Sequence, residues 1–321
     1  MKLLLGNIDY RTHMTDEGEQ LQRGLVDAGW TIAGYGYGDG CRSVKKLLER
    51  HNPSMVFIQD KRDWSRDSRG CFNSRVHFEE LPLLAAHPAK KISVFKDAGS
   101  VIDYQRRSIE EVGADAVVTY YHSRSVLSLN PWLVGRRLIR TYHSVDADLV
   151  RTINLHQTRR RGIVTGAVSS LYPLRRLVAD HHGKLRIDLQ RHPGYHNHGS
   201  HTPTYLKLLA RFKVHVATCS VFRFALRKII ESVAVGCTPV TNLPAWDVLP
   251  EIDDALVRVS EHADLDEMQC AIDFAEKNWT EDKAIYFSAK AAAYYDFRIA
   301  GQRLDRSINE DSRPDNVRQL C

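Results

Sequence analysis

The chain lacks any long hydrophobic run. Its longest apolar stretches, such as Leu3-Leu4-Leu5, are far shorter than the roughly 20 residues that a helix needs to span a bilayer. Polar residues from Asn7 onward cut this run off, so it does not have the apolar region of a secretory signal peptide. We therefore expect a cytoplasmic protein without a membrane span.

Cysteine is sparse and its spacing shows no pairs. The residues are Cys41, Cys71, Cys219, Cys237, Cys270 and Cys321. Without an export signal, this scatter indicates reduced thiols rather than a disulfide framework. The apolar surroundings of Cys219 and Cys237 predict that both lie in the core.

Solenoid repeats, low-complexity tracts and a dinucleotide fingerprint are also absent. Glycines at 34, 36, 38 and 40 do not have GxGxxG spacing after the first strand. What is present is a globular composition, 43% hydrophobic and 26% charged, in 321 residues that suit two domains of about 150 residues each. A net charge of +6 favours an anionic partner, such as a nucleoside diphosphate or nucleic acid.

Short apolar segments alternate with helical ones along the whole chain, which predicts parallel, doubly wound α/β sheets. The predicted strands are residues 2–6, 31–35, 55–59, 92–95, 116–120, 138–142, 162–166, 185–189, 214–217, 237–241 and 256–259. The sequence turns polar and basic after Thr141, so we place a domain boundary near residue 150. The predicted domains are 1–150 and 151–280, followed by a helical segment over 281–308 and a loose tail over 309–321.

The most informative stretch is Arg223–Glu251, RFALRKIIESVAVGCTPVTNLPAWDVLPE. Apolar residues from Leu226 to Val233 recur at i, i+3, i+4 and i+7, which predicts an amphipathic helix. Gly236 suits the left-handed position after the helix end, and residues 237–241 predict a buried strand.

The opposite face of this helix carries Arg223, Arg227, Lys228 and Glu231. Arg227 and Glu231 lie one turn apart. The residues alone leave open that these two form only an exposed salt bridge, which contributes a few tenths of a kcal/mol.

This helix–glycine–strand unit resembles the donor half-site of GT-B glycosyltransferases, whose recurring sequence is roughly E-A-x-A-x-G-x-P-V-V followed by P-E. It is most similar to the CgeB-like group of the family 4 (group 1) type. The resemblance implies two Rossmann-like domains facing across a cleft, with a C-terminal helix that crosses back to the first domain. It also implies that Glu231 binds the nucleotide ribose and that Arg227 and Lys228 approach the diphosphate. Arg223 stands where the family often has a second glutamate near the sugar, so the stereochemical outcome stays open.

A second donor-side segment, Ser169–Arg175, follows a strand and opens a helix. Backbone N–H groups at such a helix start, with Arg175 one turn in, suit a phosphate. Similar YPLR sequence occurs in CgeB-like proteins, which implies that Ser170, Tyr172 and Arg175 bind the donor. The residues leave open that Ser170 merely caps the helix, with a proline in its first turn.

A third donor-side segment begins at His192. A Pro-Gly pair follows it and predicts a turn that aims His192 or Tyr195 into the cleft, with Gly194 at the bend. The same sequence recurs in the resembling family near the nucleotide base. Three more histidines between residues 196 and 201 leave a zinc site or a plain surface loop open, although no cysteine or carboxylate lies at short spacing.

We predict a site without metal or cofactor, in which the nucleoside-diphosphate sugar is the donor substrate. Asp146-Ala147-Asp148 has the form of the DxD metal motif of GT-A enzymes but occurs at the domain junction. The diphosphate charge is instead expected to be neutralised by Arg and Lys side chains and a helix N-terminus.

An inverting reaction would need a base from the first domain, near a strand's carboxyl end. Asp60, Asp97 and His122 follow predicted strands, and His13 and Asp16 follow the first one. A residue of this kind, taken alone, is more often a cap or a turn residue than a base. A retaining reaction leaves such a base unnecessary.

Basic residues interleaved with aromatics lie in a first-domain loop, at Arg62, Trp64, Arg66 and Arg69. This composition is that of a nucleic-acid track, but composition alone favours a solvated basic loop over a glycan or small-molecule acceptor. The sequence thus predicts a metal-independent glycosyltransferase acting on a glycan or small molecule. The alternatives are an enzyme that glycosylates hydroxymethylated DNA bases, a non-catalytic nucleotide-sugar-binding protein and a GT-B-like epimerase. The oligomeric state stays open.

Overall fold

The computed structural model describes residues 1–5, 16–33, 43–58, 74–96, 98–99, 102–192 and 202–310. Several predicted site residues lie outside these ranges, namely His13, Asp60, Arg62, Trp64, Arg66, Arg69, Asp97, Gly194 and Tyr195.

Contacts divide the chain into two compact units. Unit 1 comprises the described residues of 1–10, 17–142 and 300–321, and unit 2 those of 11–16 and 143–299. The chain therefore returns to unit 1 after residue 299. The acceptor-side and donor-side roles predicted for the two halves of the sequence stay predictions.

The described part of unit 1 is built on a six-stranded parallel sheet with strand order β2-β1-β3-β4-β5-β6. The strands are β1 (Lys2–Leu5), β2 (Thr31–Ala33), β3 (Met55–Ile58), β4 (Lys90–Val94), β5 (Ala116–Thr119) and β6 (Leu138–Arg140). The helices between them are α1 (Glu17–Asp27), α2 (Val44–His51), α3 (Ser74–Ala86), α4 (Ile102–Val112) and α5 (Ser123–Leu129). The central strands β3 and β5 are mostly apolar, as parallel strands covered on both faces require, whereas β4 begins with two lysines and becomes buried from Ile92 onward.

The described part of unit 2 is built on a five-stranded parallel sheet with strand order β11-β10-β9-β7-β8. The strands are β7 (Arg160–Gly166), β8 (Asp188–Arg191), β9 (Phe212–Val216), β10 (Thr238–Thr241) and β11 (Val257–Arg258). The helices are α6 (Ala147–Arg151), α7 (Pro173–Asp180), α8 (Thr202–Leu209), α9 (Arg227–Ala234), α10 (Leu265–Asn278), α11 (Glu281–Tyr295) and α12 (Phe297–Asn309), the last of which continues into unit 1. The strand order reverses between β7 and β9.

Each strand predicted from the sequence is present, and the doubly wound α/β class is confirmed in both units. Two elements begin later than predicted. β8 begins at Asp188 because Arg186 takes a left-handed conformation with φ 54° in the turn before it. α9 begins at Arg227 because Leu226 before it has extended backbone (φ −88°, ψ 149°), and Arg223, predicted to lie on this helix, has φ 58° and lies outside it. Buried positions for Cys219 and Cys237 are confirmed.

The helical segment predicted over 281–308 is two helices. Asp296 separates α11 from α12, and its Oδ1 accepts the Arg298 N–H at 2.9 Å, which caps the start of α12. Its Oδ2 accepts the Ala147 N–H at 3.1 Å. An aspartate satisfies free N–H groups best at such a helix start, so the chain breaks there rather than continuing as one helix.

Within unit 1, α12 packs against α1 through two glycines. A Cβ added at Gly301 would overlap the backbone of Gly24. The same helix is held by Asp305, which accepts hydrogen bonds from Lys2 Nζ at 2.6 Å and Trp30 Nε1 at 2.7 Å. The helices can approach this closely only because neither glycine has a side chain.

Among the helices of the residues described, none has the length and apolar character needed to cross a membrane.

We expect Gly301→Ala to destabilise the protein by about 1–3 kcal/mol, the usual range for overpacking. Alanine is the better helix former by about 1 kcal/mol, but the added methyl meets backbone that cannot rotate away. Urea unfolding measures the change. Gly183→Ala is the control, because a Cβ there meets nothing within 4 Å. An unchanged or raised stability of Gly301→Ala would show that the two helices separate easily.

Candidate functional site

The switch in strand order of unit 2 lies between β7 and β9. In open parallel sheets, the connections leaving two such strands diverge and create a crevice at the carboxyl ends of the strands. Here the connection after β7 leads to α7, and the connection after β9 leads to α9. Side chains from the first turns of these two helices therefore have access to this crevice.

Gly166, the last residue of β7, is the point where two of these side chains meet. Its φ is +106°, and a Cβ built on it would lie 2.5 Å from Lys228 Nζ and 3.0 Å from Arg175 Nη1. Any side chain at this position would occupy the space of the two cationic groups. Glycine is therefore required both by the backbone conformation and by the close approach.

Arg175, the third residue of α7, is 2% exposed and links the ends of the two strands. Its Nη1 donates to the Ala167 carbonyl at 3.2 Å, and its Nη2 donates to the Thr218 carbonyl at 2.7 Å. The guanidinium also lies over the Tyr172 ring, 3.9 Å from the centroid. This arrangement fixes the guanidinium plane next to Gly166.

The other two residues predicted in this segment have different local roles. Tyr172 is the N-cap residue of α7 and Pro173 is its first residue. Ser170 is exposed and lies two residues before this cap, so it does not cap the helix as its sequence position allowed.

Lys228, in the first turn of α9, approaches Gly166 from the other side. Its Nζ donates to Thr165 Oγ1 at 3.3 Å and lies 5.4 Å from the centroid of the Tyr205 ring. Burial above all, together with the Arg175 charge, lowers the pKa of Lys228 to about 7, although the Glu231 charge opposes the shift.

Four neutral side chains next to Lys228 are linked by hydrogen bonds. Thr165 Oγ1 is 2.8 Å from the Tyr205 hydroxyl and 3.0 Å from His215 Nε2. His215 Nδ1 contacts Ser232 Oγ, which donates to the carbonyl of Lys228. Because Ser232 uses its proton there, His215 donates from Nδ1 and accepts the Thr165 hydroxyl at Nε2. This assignment satisfies every member with an uncharged imidazole.

His215 is fully buried, and burial lowers its pKa well below the ordinary value, assisted by the charges of Lys228 and Arg175. Burial also raises the pKa of Tyr205 well above its ordinary value. Both side chains are therefore neutral near pH 7.

Arg227 and Glu231 form the ion pair that their spacing predicted, but it is buried rather than exposed. Arg227 Nε lies 3.1 Å from Glu231 Oε1, and Arg227 Nη2 lies 2.7 Å from Asp16 Oδ1. Thr202 Oγ1 donates to the same Asp16 oxygen at 3.0 Å. Breaking a buried pair of this kind costs about 3–5 kcal/mol, because it leaves an uncompensated charge.

Asp16, considered from the sequence as a base, is held in this ion cluster. Burial raises its pKa, but the Arg227 charge and the hydrogen bonds from Arg227 and Thr202 outweigh burial, so the pKa of Asp16 is lowered. The carboxylate therefore stays ionised and committed to Arg227.

His192 lies directly after β8 and belongs to the same neighbourhood. Burial lowers its pKa, and the charges of Lys228 and Arg175 lower it further. The structure thus brings together three residues that were predicted from separate segments of the sequence, namely Arg175, His192 and Lys228.

Other predicted residues act as caps and surface pairs. His122 caps α5, where its Nδ1 accepts the Arg124 N–H at 3.1 Å. The neutral ring then carries its proton on Nε2 and presents no lone pair there to a substrate hydroxyl. Arg223 is exposed and pairs with Glu261 at 2.8 Å.

The two aspartates of the DxD sequence have similar local roles. Asp146 Oδ1 caps α6, and Asp148 pairs with Arg298 at 2.7 Å. Across the described ranges, no three or more His, Cys, Asp or Glu side chains are grouped so that they could hold a metal ion.

Sequence reasoning missed the supporting residues Thr165, Tyr205, His215 and Ser232. Thr165 follows apolar residues in β7, and His215 lies between two valines in β9. A polar residue at such a place in a strand was the available signal. A polar side chain buried in a central strand needs a partner, but the sequence does not name that partner.

No protein-family model matches the chain, and no curated protein matches it significantly. Solved structures do match. The Anabaena protein HepE in complex with UDP-glucose has a TM-score of 0.57 and 12% identity, covering 96% of this chain and 99% of that one. Sucrose-phosphate synthase from Thermosynechococcus elongatus has a TM-score of 0.60 and 12% identity, covering 95% and 98%. An α-glucosyltransferase in complex with UDP and a 13-mer DNA has a TM-score of 0.58 and 12% identity, covering 96% and 98%.

Identities this low establish the fold and nothing finer. The chain has the GT-B fold, with two Rossmann-like domains, and this part of the predicted resemblance is confirmed. The assignment to the CgeB-like group stays a prediction.

We expect buried His215 to make stability sensitive to acid. Its folded-state pKa lies below the unfolded value, so its contribution is complete above about pH 6.5 and is lost as pH falls toward the folded pKa, by up to about 1.4 kcal/mol per pH unit. Urea unfolding of the wild type and His215→Gln at about pH 7.5 and 5.5 isolates this contribution. The wild type's advantage over the variant should shrink in acid. An advantage that is equal at both pH values would contradict a buried neutral His215.

Proposed function

We propose that the protein is a glycosyltransferase that moves a sugar from a nucleoside-diphosphate-sugar donor to an acceptor hydroxyl. The observation that carries the proposal is the convergence of Arg175 and Lys228 on Gly166, at the strand switch of unit 2. A departing diphosphate needs fixed positive charge, and two cations held in place before the reaction stabilise it without reorganisation. HepE, which shares the fold, was crystallised with UDP-glucose.

In the proposed donor site, some residues bind the donor directly and others position the side chains that bind it. Arg175 and Lys228 neutralise the diphosphate, and the glycine between them lets phosphate oxygens approach the backbone. Glu231 accepts hydrogen bonds from the ribose, as the resemblance implies. Arg227 was predicted to approach the diphosphate. Its burial between Glu231 and Asp16 favours a different role, in which it orients the Glu231 carboxylate.

The remaining donor residues complete the nucleotide side. His192, close to both cations, marks where the loop with Gly194 and Tyr195 leaves β8, and this loop faces the base in our proposal. Tyr172 supports Arg175 through its ring. Ser170 is exposed near the start of α7 and is available to a phosphate.

Catalysis is proposed to need no metal, because guanidinium and ammonium groups supply the charge that a divalent cation would otherwise supply. A glycan or small molecule is the preferred acceptor. For an inverting reaction, Asp60 and Asp97 are better candidate bases than His122, because the lone pair of His122 already serves the helix cap.

Two rivals share the fold. A non-catalytic nucleotide-sugar-binding protein would bind the donor without turnover, and a GT-B-like epimerase would convert the donor with no acceptor present. Product formation that requires an acceptor distinguishes our proposal from both.

We expect one nucleotide sugar among UDP-, GDP-, ADP- and TDP-linked donors to raise the melting temperature selectively. Lys228→Met should weaken its binding at least about tenfold, because a charge-assisted hydrogen bond contributes about 1.5–3 kcal/mol. Isothermal calorimetry measures the affinity. The matched control is Lys207→Met, which removes an exposed lysine of α8 in the same unit.

Transfer by the wild type should continue unchanged in EDTA. Activity lost in EDTA and restored by Mn²⁺ would contradict the metal-independent site. A screen in which no nucleotide sugar binds would contradict the proposal as a whole.

DNA is the second candidate acceptor, favoured by the likeness to the α-glucosyltransferase that was solved with DNA. If DNA is the acceptor, affinity for duplex DNA should fall by orders of magnitude between about 50 and 200 mM salt, because each neutralised phosphate releases counterions. Fluorescence anisotropy at several salt concentrations measures this. Replacing Arg62, Arg66 and Arg69 together by glutamine should flatten the salt dependence. No DNA binding at low salt would leave the glycan or small-molecule acceptor.

A further inference from the structure

The donor site has an imbalance of charge. Three cationic side chains, Arg175, Arg227 and Lys228, lie within it. Two carboxylates, Asp16 and Glu231, lie with them, and both are ion-paired to Arg227. If all five groups were ionised, the cluster would carry one net positive charge. Arg175, Arg227 and Glu231 are each less than 10% exposed, so the cost of burying that charge is large.

Only one of these groups can relieve the imbalance. Guanidinium groups do not lose their proton in proteins, so Arg175 and Arg227 stay charged. Protonating a carboxylate would increase the positive charge. Loss of a proton from Lys228 removes the imbalance, and lysine is the residue whose charge responds most readily to burial.

The surroundings of Lys228 accept both of its protonation states. Thr165 Oγ1 accepts a hydrogen bond from an amine as well as from an ammonium group. The groups that face Lys228 are Thr165 on β7, Arg175 on α7, His192 after β8, Tyr205 on α8, His215 on β9 through Thr165, and Glu231 on α9.

Most of these neighbours keep one charge state while Lys228 changes. Burial lowers the pKa of both histidines, so each is already neutral at pH 7. Burial raises the pKa of Tyr205, so its hydroxyl stays protonated well above pH 7. Arg175 is always charged.

We propose, on the basis of the proposed function, that above about pH 7 Lys228 is uncharged in the empty site and takes up one proton from solution when the donor diphosphate binds. The amine becomes an ammonium group next to the phosphate oxygens, and no bond of the donor changes in this step. The lysine therefore links donor affinity to pH, in contrast to Arg175, which supplies permanent charge.

The direction of the pH dependence follows from the lowered pKa of Lys228, about 7 in the empty site, which a bound anion raises. Below this value Lys228 is charged in both states, so affinity is constant. Above it, binding requires a proton, and affinity falls by up to tenfold per pH unit until pH reaches the pKa of the complex. Between about pH 7 and 8.5 the expected loss is up to about 15-fold, and from the low-pH plateau to about pH 8.5 it is up to about 30-fold.

Calorimetry with UDP-glucose tests the linkage directly on the wild-type chain. At about pH 8, the observed binding enthalpy in HEPES and in Tris should differ by the difference in buffer ionisation enthalpy multiplied by close to one proton. Lys228→Arg keeps a permanent charge, so its affinity should be flat with pH and no proton should be taken up. Lys228→Met should also be flat, with weaker binding. Lys207→Met should behave as the wild type.

The outcomes separate this inference from the proposed function. If UDP-glucose binds the wild type equally at about pH 6.5 and 8.5 with no buffer dependence, Lys228 is already charged, and the inference is wrong while the proposed function stands. If UDP-glucose does not bind, sulfate is the second probe, because its charge does not change over this pH range. Thermal stabilisation by sulfate that fades with rising pH in the wild type, but not in Lys228→Arg, would support the linkage and reject UDP-glucose as the donor. No effect of sulfate at any pH would contradict the inference, while the screen of nucleotide sugars decides the proposed function.

Discussion

The candidate site in unit 2 depends on the absence of a side chain at one position. Gly166 ends β7 with φ +106°, and the space of its absent Cβ lies 2.5 Å from Lys228 Nζ and 3.0 Å from Arg175 Nη1. Helices α7 and α9 can therefore direct cationic groups to the same strand end. Because the strand order reverses at this place, the sheet also leaves a crevice there for a ligand.

Holding two cations side by side inside a protein requires support of a particular kind. Arg175 supplies permanent charge, and its N–H groups donate to the carbonyls of Ala167 and Thr218. Lys228 supplies a charge that changes with pH, and it donates to Thr165, which in turn is hydrogen-bonded to the neutral His215–Ser232 pair. Aliphatic side chains in place of Thr165, His215 and Ser232 would leave the Lys228 amine without a hydrogen-bond acceptor. Charged side chains there would hold Lys228 in one protonation state.

Much of the architecture could be predicted, because strands covered on both faces have apolar sequences, and these alternate with helical segments along the chain. The ends of elements were predicted less well. β8 and α9 start late, and Arg186 and Arg223, which lie before them, take left-handed backbone that is not typical of arginine. The break between α11 and α12 depends on Asp296 contacting Ala147, a partner far away in the sequence.

The sequence by itself determined the α/β class and the order of elements. It also placed Arg175, Arg227, Lys228 and Glu231 on helices and His192 after a strand. Local periodicity and turn residues carry that information over a few positions. Only the tertiary structure decided that Arg227 and Glu231 are buried with Asp16, that Lys228 meets Arg175 at Gly166, and that His215 supports the lysine through Thr165. These choices depend on which strands become neighbours and on how much water is excluded between them. Burial and electrostatic coupling are properties of that packing, and spacing along the chain does not encode them.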